Sequence, residues 1–363
     1  MATTKEQVEK ILNLIPFTPT SQGKLSMALK GEVSEQDLFL TLSGMVQDGL
    51  VQLNMGVKGP EYFRKWDSNI DVERKALSKE LNTRFDESVI FYPRFDGYTA
   101  NLRDNLLLKD LNEIEASYQD ISEEYSMWHR NAKSGVVYPP KLHAINSSNV
   151  LGLNIIAGLG VDPSQVDYAI EFEALASEQM HDRPNEISSP KAFFEALIHY
   201  DDSVDFVQTK FLEQFYQPTR PSLWAYQYGD RFLFDNEESA ELIRNFAKKL
   251  HTVYFDSTDL MKTIVAVYSD ILASPEEYNN KKVNLIQICF SLSEDTKFKL
   301  LKNCLDKYVA EARTLEQEVN ELLSKLALPE GVSIEYQFLL VDDVVNNLTE
   351  EAQEYIKKRY IGF

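Results

Sequence analysis

Glu195, Gln208 and Lys210 are the residues of this chain best placed to act together. They lie in FEALIHYDDSVDFVQTKF (194–211), where apolar residues flank Asp201-Asp202. That pair supplies turn chemistry, so the segment predicts two short strands joined by a tight turn. Side chains alternate faces along a strand, which puts Gln208 and Lys210 on one face. With Tyr200 opposite Ser203, the register sets Glu195 against Gln208. A carboxylate, an amide oxygen and an ammonium would then share one patch of sheet, equipment for holding a divalent cation against a phosphate. Glu173, closing IEFE, would add a second carboxylate from a neighbouring strand, with Glu171 as its alternative. Lys210 would orient the nucleophile and offset charge on phosphoryl oxygens, and Glu213 just beyond the strand would position it. By composition alone, a lysine guarding an edge strand explains the same pattern.

The elements around this hairpin read as a mixed α/β chain. Residues 4–56 have the cadence of a winged-helix-like module: helices over Glu6–Leu14 and Ser21–Leu29, then a third from the Ser34 cap to Val46, with Asp37 at its third position. Gly49 would end that helix, and Leu50 to Leu53 would be the wing strand. Four lysines (Lys5, Lys10, Lys24, Lys30) face six acids (Glu6, Glu9, Glu32, Glu35, Asp37, Asp48), and the third helix carries no Lys or Arg. This balance favours a protein partner or self-association over DNA reading. Residues 58–132 read as helical, with helices over Val72–Phe85 and Leu102–Met127 around an aromatic loop holding Arg94 and Arg103. Residues 133–363 hold strands at Val166–Glu173, Phe194–Tyr200, Val204–Phe211, Val283–Leu292 and Val332–Val341. A polar, Pro-containing segment at 174–192 reads as a mobile loop beside the site. The stripe Phe298, Leu301, Leu305, Tyr308, Ala312, Leu315, Val319, Leu322, Leu326 predicts one long helix packed on its own domain.

Composition bounds the function classes. The 363 residues are 44% hydrophobic and 11% aromatic, enough for filled cores. Net charge is −20, which opposes nonspecific coating of nucleic acid, although a basic cleft alone suffices for a nuclease. No apolar run approaches the roughly 20 residues that span a bilayer, so no membrane is expected. The N-terminus MATTKEQVEK has no secretory core, and the two cysteines, Cys289 and Cys304, form no CxxC. A cytoplasmic location is the simplest expectation. No HExxH, P-loop, dinucleotide fingerprint or nucleophile elbow occurs. His199 shares the Glu195 face and would line the cleft rim. RPSLWAYQYGDRFLF (220–234) reads as aromatic packing, with base stacking as the alternative. A glycosidase-like pair of Glu195 with Glu171 or Glu173 would need the carboxyls about 5–10 Å apart.

Two separated stretches strengthen the metal-and-phosphate reading. Pro139, Pro140, Lys141, His143, Ser147 and Ser148 match a "PPK-H-hSS-ALG-N" type stretch, and Lys210, Phe211 and Glu213 a late "ESKF-E" type motif. In this order the chain resembles the PD-(D/E)xK nuclease superfamily, in particular a bacterial restriction-endonuclease-like group, over roughly residues 90–300. The resemblance implies a restriction-endonuclease-like α/β/α core with a mixed central sheet, DNA as substrate, and Mg2+ (Mn2+ as substitute) held by Glu173, Glu195 and Gln208. It implies substrate contacts from His143, Ser147, Ser148 and Glu213, and fits a role in restriction or defence against foreign DNA. The chain departs twice: Glu195 stands for the usual Asp, and Gln208 for the usual Glu of ExK. The lost charge weakens a metal site, so a catalytically inactive nuclease-like protein that binds DNA or a protein partner is the competing reading.

Overall fold

The computed structural model describes residues 5–363 apart from 174–190, 217–235 and the positions 18, 30–31, 58, 96, 109, 132–133 and 251. Most of the 174–192 loop and all of 220–234 lie outside the described residues.

The N-terminal module runs α1 (Lys5–Leu14), β1 (Thr20–Ser21), α2 (Gln22–Ala28), α3 (Glu35–Gln47), β2 (Gln52–Gly56), β3 (Gly59–Phe63). Its three strands lie in the order β1-β3-β2. Ser34 caps α3 by accepting from the Asp37 amide at 3.1 Å, as the sequence predicts. Ile11, Leu25, Leu38, Leu42, Met45 and Tyr62 fill a small core of its own. The module extends past residue 57: β3 pairs with both β1 and β2, so a boundary at 57 would cut a hairpin.

Between the module and the main sheet lie α4 (Ser68–Thr83), α5 (Leu111–Ile121) and the short ribbon β4 (His129–Arg130) with β5 (Val137–Tyr138). The continuous helix expected over Leu102–Met127 does not form. Tertiary bonds claim its backbone: Asn154 Oδ1 accepts from the Leu107 amide at 2.8 Å, and Asn154 Nδ2 donates to the Asn105 carbonyl at 3.0 Å. A single turn at Leu102–Asp104 is left, and helix resumes only at Leu111.

The main sheet comprises β6 (Val166–Glu173), β7 (Lys191–His199), β8 (Ser203–Lys210), β9 (Lys282–Cys289) and β10 (Ser333–Leu340) in the order β10-β9-β8-β7-β6. The β6–β7–β8 part is antiparallel, and β8–β9–β10 is parallel. Helix α6 (Ser148–Gly158) precedes β6. Helices α7 (Glu237–Lys249) and α8 (Ser257–Ala273) link β8 to β9, and α9 (Lys299–Leu323) links β9 to β10. A short turn α10 (Val341–Val344) and α11 (Glu350–Tyr360) end the order.

Successive β8 side chains assign the layers. Thr209 donates to the Ser148 carbonyl of α6 at 2.6 Å, while Lys210 meets Asp259 of α8 at 2.7 Å. Thus α6 and α8 cover opposite faces. Gln287 is the β9 register partner of Gln208 and donates to Tyr308 of α9 at 2.9 Å, so α9 shares the α8 face. Helix α11 lies on α6 so closely that a Cβ at Gly158 would sit 2.6 Å from that of Ala352. The expected stripe from Phe298 to Leu326 is buried, and α9 packs on its own domain. The chain is a mixed α/β fold, and among the described residues no helix is long and apolar enough to cross a membrane.

Candidate active site

The β7–β8 hairpin forms with the expected register. The Tyr200 amide donates to the Ser203 carbonyl at 2.9 Å, and the ladder runs from His199↔Val204 to Ala196↔Val207. It breaks there, one pair before Glu195 would meet Gln208. On the other side of β7, Tyr168↔Ala196 and Ile170↔Phe194 are paired but Ala169 and Glu195 are not. Ala169 takes φ 55°, a left-handed conformation that costs a non-glycine residue about 1–3 kcal/mol. This local distortion turns Glu195 towards α6, whereas strict alternation would have put it with Gln208.

Glu195 is 3% exposed, and its Oε2 accepts from the Thr209 amide at 2.8 Å. Asn149 Nδ2 lies 3.5 Å from Oε1. Gly152 of α6 permits this approach: a Cβ there would stand 2.9 Å from both Glu195 Cγ and Thr209 Oγ1. Burial pushes the Glu195 carboxyl up to about 8, against the opposing pull of Lys210 and the Thr209 amide.

Gln208 points the other way. Its Nε2 donates to the Phe193 carbonyl at 2.6 Å, at the broken ladder, and Thr263 Oγ1 of α8 lies 3.4 Å from its Oε1. The amide clasps the distorted strand rather than joining Glu195 in a cage. Glu173 pairs along the sheet with Lys191, four residues from Glu195 and so about 13 Å away by strand rise. Glu171 bonds Lys191 at 2.6 Å. Glu195 and Gln208 of the expected set are therefore not brought together, and the Glu173 backbone stands apart from Glu195 along the sheet. Glu171 lies nearer, and both it and Glu195 act on the Tyr125 hydroxyl.

Lys210 ends β8 with its side chain a quarter exposed. Burial alone would lower its pKa, but Asp259 and Glu213, with Asp256 behind them, raise it above the ordinary range. It is a permanent cation at working pH. Asp256 caps α8, accepting from the Thr258 and Asp259 amides at 3.0 and 3.2 Å. Burial and the neighbouring Asp259 both raise Asp256, while Lys210 opposes them. Sequence reasoning missed these two acids, although DSTD (256–259) before an apolar helix is a legible capping signal.

The two halves of the resemblance motif meet physically. Ser148 Oγ donates to Glu213 Oε1, and Glu213 Oε2 accepts from the Phe211 amide at 2.8 Å. These bonds fasten the end of β8 to the start of α6. Ser147 occupies the α6 cap position, with its Oγ 3.4 Å from Asn149 Oδ1. His143 is buried, its Nδ1 2.7 Å from the Thr99 carbonyl, and Lys141 pairs with Glu124. His199 bonds Asp167 at 2.8 Å near the hairpin turn.

No three His, Cys, Asp or Glu side chains gather as a metal cluster among the described residues. Magnesium needs only one or two carboxylates beside substrate phosphates. Four carboxylates, Glu195, Glu213, Asp256 and Asp259, act electrostatically on or beside one ammonium. They do not converge on one point: Asp256 and Asp259 lie on the α8 face, while Glu195 and Glu213 are bonded to α6. Gln208, turned to the Phe193 carbonyl and Thr263, is engaged within the fold.

Comparison with known proteins finds no matching family model, no matching curated protein and no matching solved structure.

Proposed function

We propose that this chain is a divalent-cation-dependent nuclease that cuts DNA, with Lys210 as the group that meets the scissile phosphate. The observation that carries this reading is the position of Lys210. It sits at the carboxyl end of β8, and open α/β sheets bind ligands outside the carboxyl ends of their strands. A mixed central sheet covered by helices on both faces also fits the α/β/α core that the PD-(D/E)xK resemblance implies. A bound cation would polarise the phosphate and acidify the attacking water. Lys210 would hold positive charge beside the phosphoryl oxygens, and Asp259 would fix its ammonium at 2.7 Å. The Glu195 carboxyl, at about 8, holds a proton at neutral pH and braces the end of β8 through the Thr209 amide.

The test is nicking of supercoiled plasmid in Mg2+ or Mn2+ with EDTA as control. The parent should nick only with the metal, and Lys210→Ala should lose about 100- to 1,000-fold in rate while staying folded. Equal nicking by parent and variant removes the assignment.

A second reading rests on Gln208, which closes the distorted strand instead of binding a cation. It makes the chain a catalytically inactive nuclease-like binder of DNA or protein. DNA retention without nicking in either metal selects it.

Three helices with a small three-stranded sheet in the N-terminal module support its winged-helix reading. Phe39 and Leu40 of α3 are 49% and 59% exposed, and that helix bears no Lys or Arg. These features support contact with a protein partner or a second copy rather than reading of DNA.

A further inference from the structure

We propose that the loop 91–98 and the β4–β5 ribbon form a platform on which unpaired bases of a nucleic-acid strand stack. The proposal rests on the nuclease reading for its biological sense and on separate residues for its chemistry.

Trp128 is 51% exposed, with its ring centroid 5.2 Å from that of Tyr92 and 5.9 Å from that of Phe95. Phe95 lies 5.4 Å from Tyr138, whose ring stacks on His129 at 6.1 Å. Tyr92, Phe95, Tyr98 and Tyr138 are partly exposed, so these rings meet solvent instead of closing a core. The rings continue towards Lys210. Phe95 is 6.3 Å from Tyr98, and the Tyr98 hydroxyl feels those of Tyr138 and Tyr216. Tyr216 is 49% exposed, and the Arg74 guanidinium lies 3.8 Å from its ring centroid. It directly follows the turn Glu213–Phe215 that ends the site.

Charge selects the occupant. Arg94 and Arg130 are exposed on this surface, and no carboxylate pairs with either among the described residues. The nearby Glu124 is taken by Lys141. Guanidinium groups beside open rings suit phosphates and bases in alternation. A duplex hides its base faces, and a chain of net charge −20 cannot rely on backbone attraction. Stacking is largely independent of net charge, so a single strand fits this surface better than a duplex or an apolar protein face.

The full chain is titrated in EDTA with a fluorescein-labelled dT12 strand, rU12, and a duplex containing dT12, following anisotropy and tryptophan quenching. The parent should bind at least one single strand tighter than the duplex, and the tighter of dT12 and rU12 identifies the sugar. Trp128→Ala should weaken single-strand binding about tenfold or more, within the roughly 5- to 150-fold that one stacked base supplies. Arg130→Gln, which leaves every ring in place, should lower the salt slope by about one. Unchanged binding by a folded Trp128→Ala, or preference for duplex, overturns the platform even if nicking persists. Binding that depends on Trp128 without any nicking removes the nuclease reading and leaves the platform standing.

Discussion

Along β8, alternate positions meet opposite layers, and the two layers treat them differently. Thr209 and the Phe211 amide are tied into α6 through the Ser148 carbonyl, Ser148 Oγ and the Glu213 carboxylate. On the α8 face, Gln208 closes the strand next door, while Lys210 stands a quarter exposed among acids. One face therefore spends its polar groups on holding the hairpin in place. The other leaves a cation at the strand end, available to a ligand. Residues that share a short motif need not share a role, because a step of one along a strand changes the layer they touch.

Breaking the exposed face should have the largest effect, on rate alone: Lys210→Ala is expected to abolish nicking, with circular dichroism showing an intact fold. The α6 face should answer through stability. Gly152→Ala places a Cβ 2.9 Å from Glu195 Cγ and Thr209 Oγ1. Urea titration should show a loss of about 1–3 kcal/mol from overpacking. Gln208→Glu removes the donor to the Phe193 carbonyl and points a carboxylate at that oxygen. It should cost about 1–2 kcal/mol in the same titration. A stabilised Gln208→Glu protein that nicks faster would mean position 208 is a metal ligand after all.

The finest discrimination is pH. The folded pKa of Glu195, about 8, lies above the ordinary carboxylate value. The folded state therefore keeps a proton that the unfolded chain releases. Its contribution is complete below about pH 4 and is lost as pH rises towards 8, at up to about 1.4 kcal/mol per pH unit. Glu195→Gln carries no such proton, so unfolding from pH 5 to 8 should show the parent declining relative to the variant. Parallel curves would place Glu195 in a more open setting than beneath α6.

Much of the frame was legible in the chain itself. The turn at Asp201-Asp202, the Ser34 cap and the α9 stripe depend on neighbours a few residues apart, which sequence periodicity records directly. The helix expected between Leu102 and Leu111 failed for the opposite reason, since Asn154 and Arg359 capture that backbone from elsewhere in the fold. In the candidate site, Lys210 was visible as a strand-end cation, but its partner Asp259 lies 49 residues away.

Residue order alone determined the five strands of the main sheet, where the hairpin turns and the apolar stripe of α9, because each follows from local geometry and hydrophobic spacing. The direction of Glu195 was decided only in three dimensions. Its strand is paired on both sides, the pairing fails at Ala169 and Glu195 together, and the close approach at Gly152 offers the carboxyl its place. Alternation within one strand carries no information about a distortion that its neighbours impose.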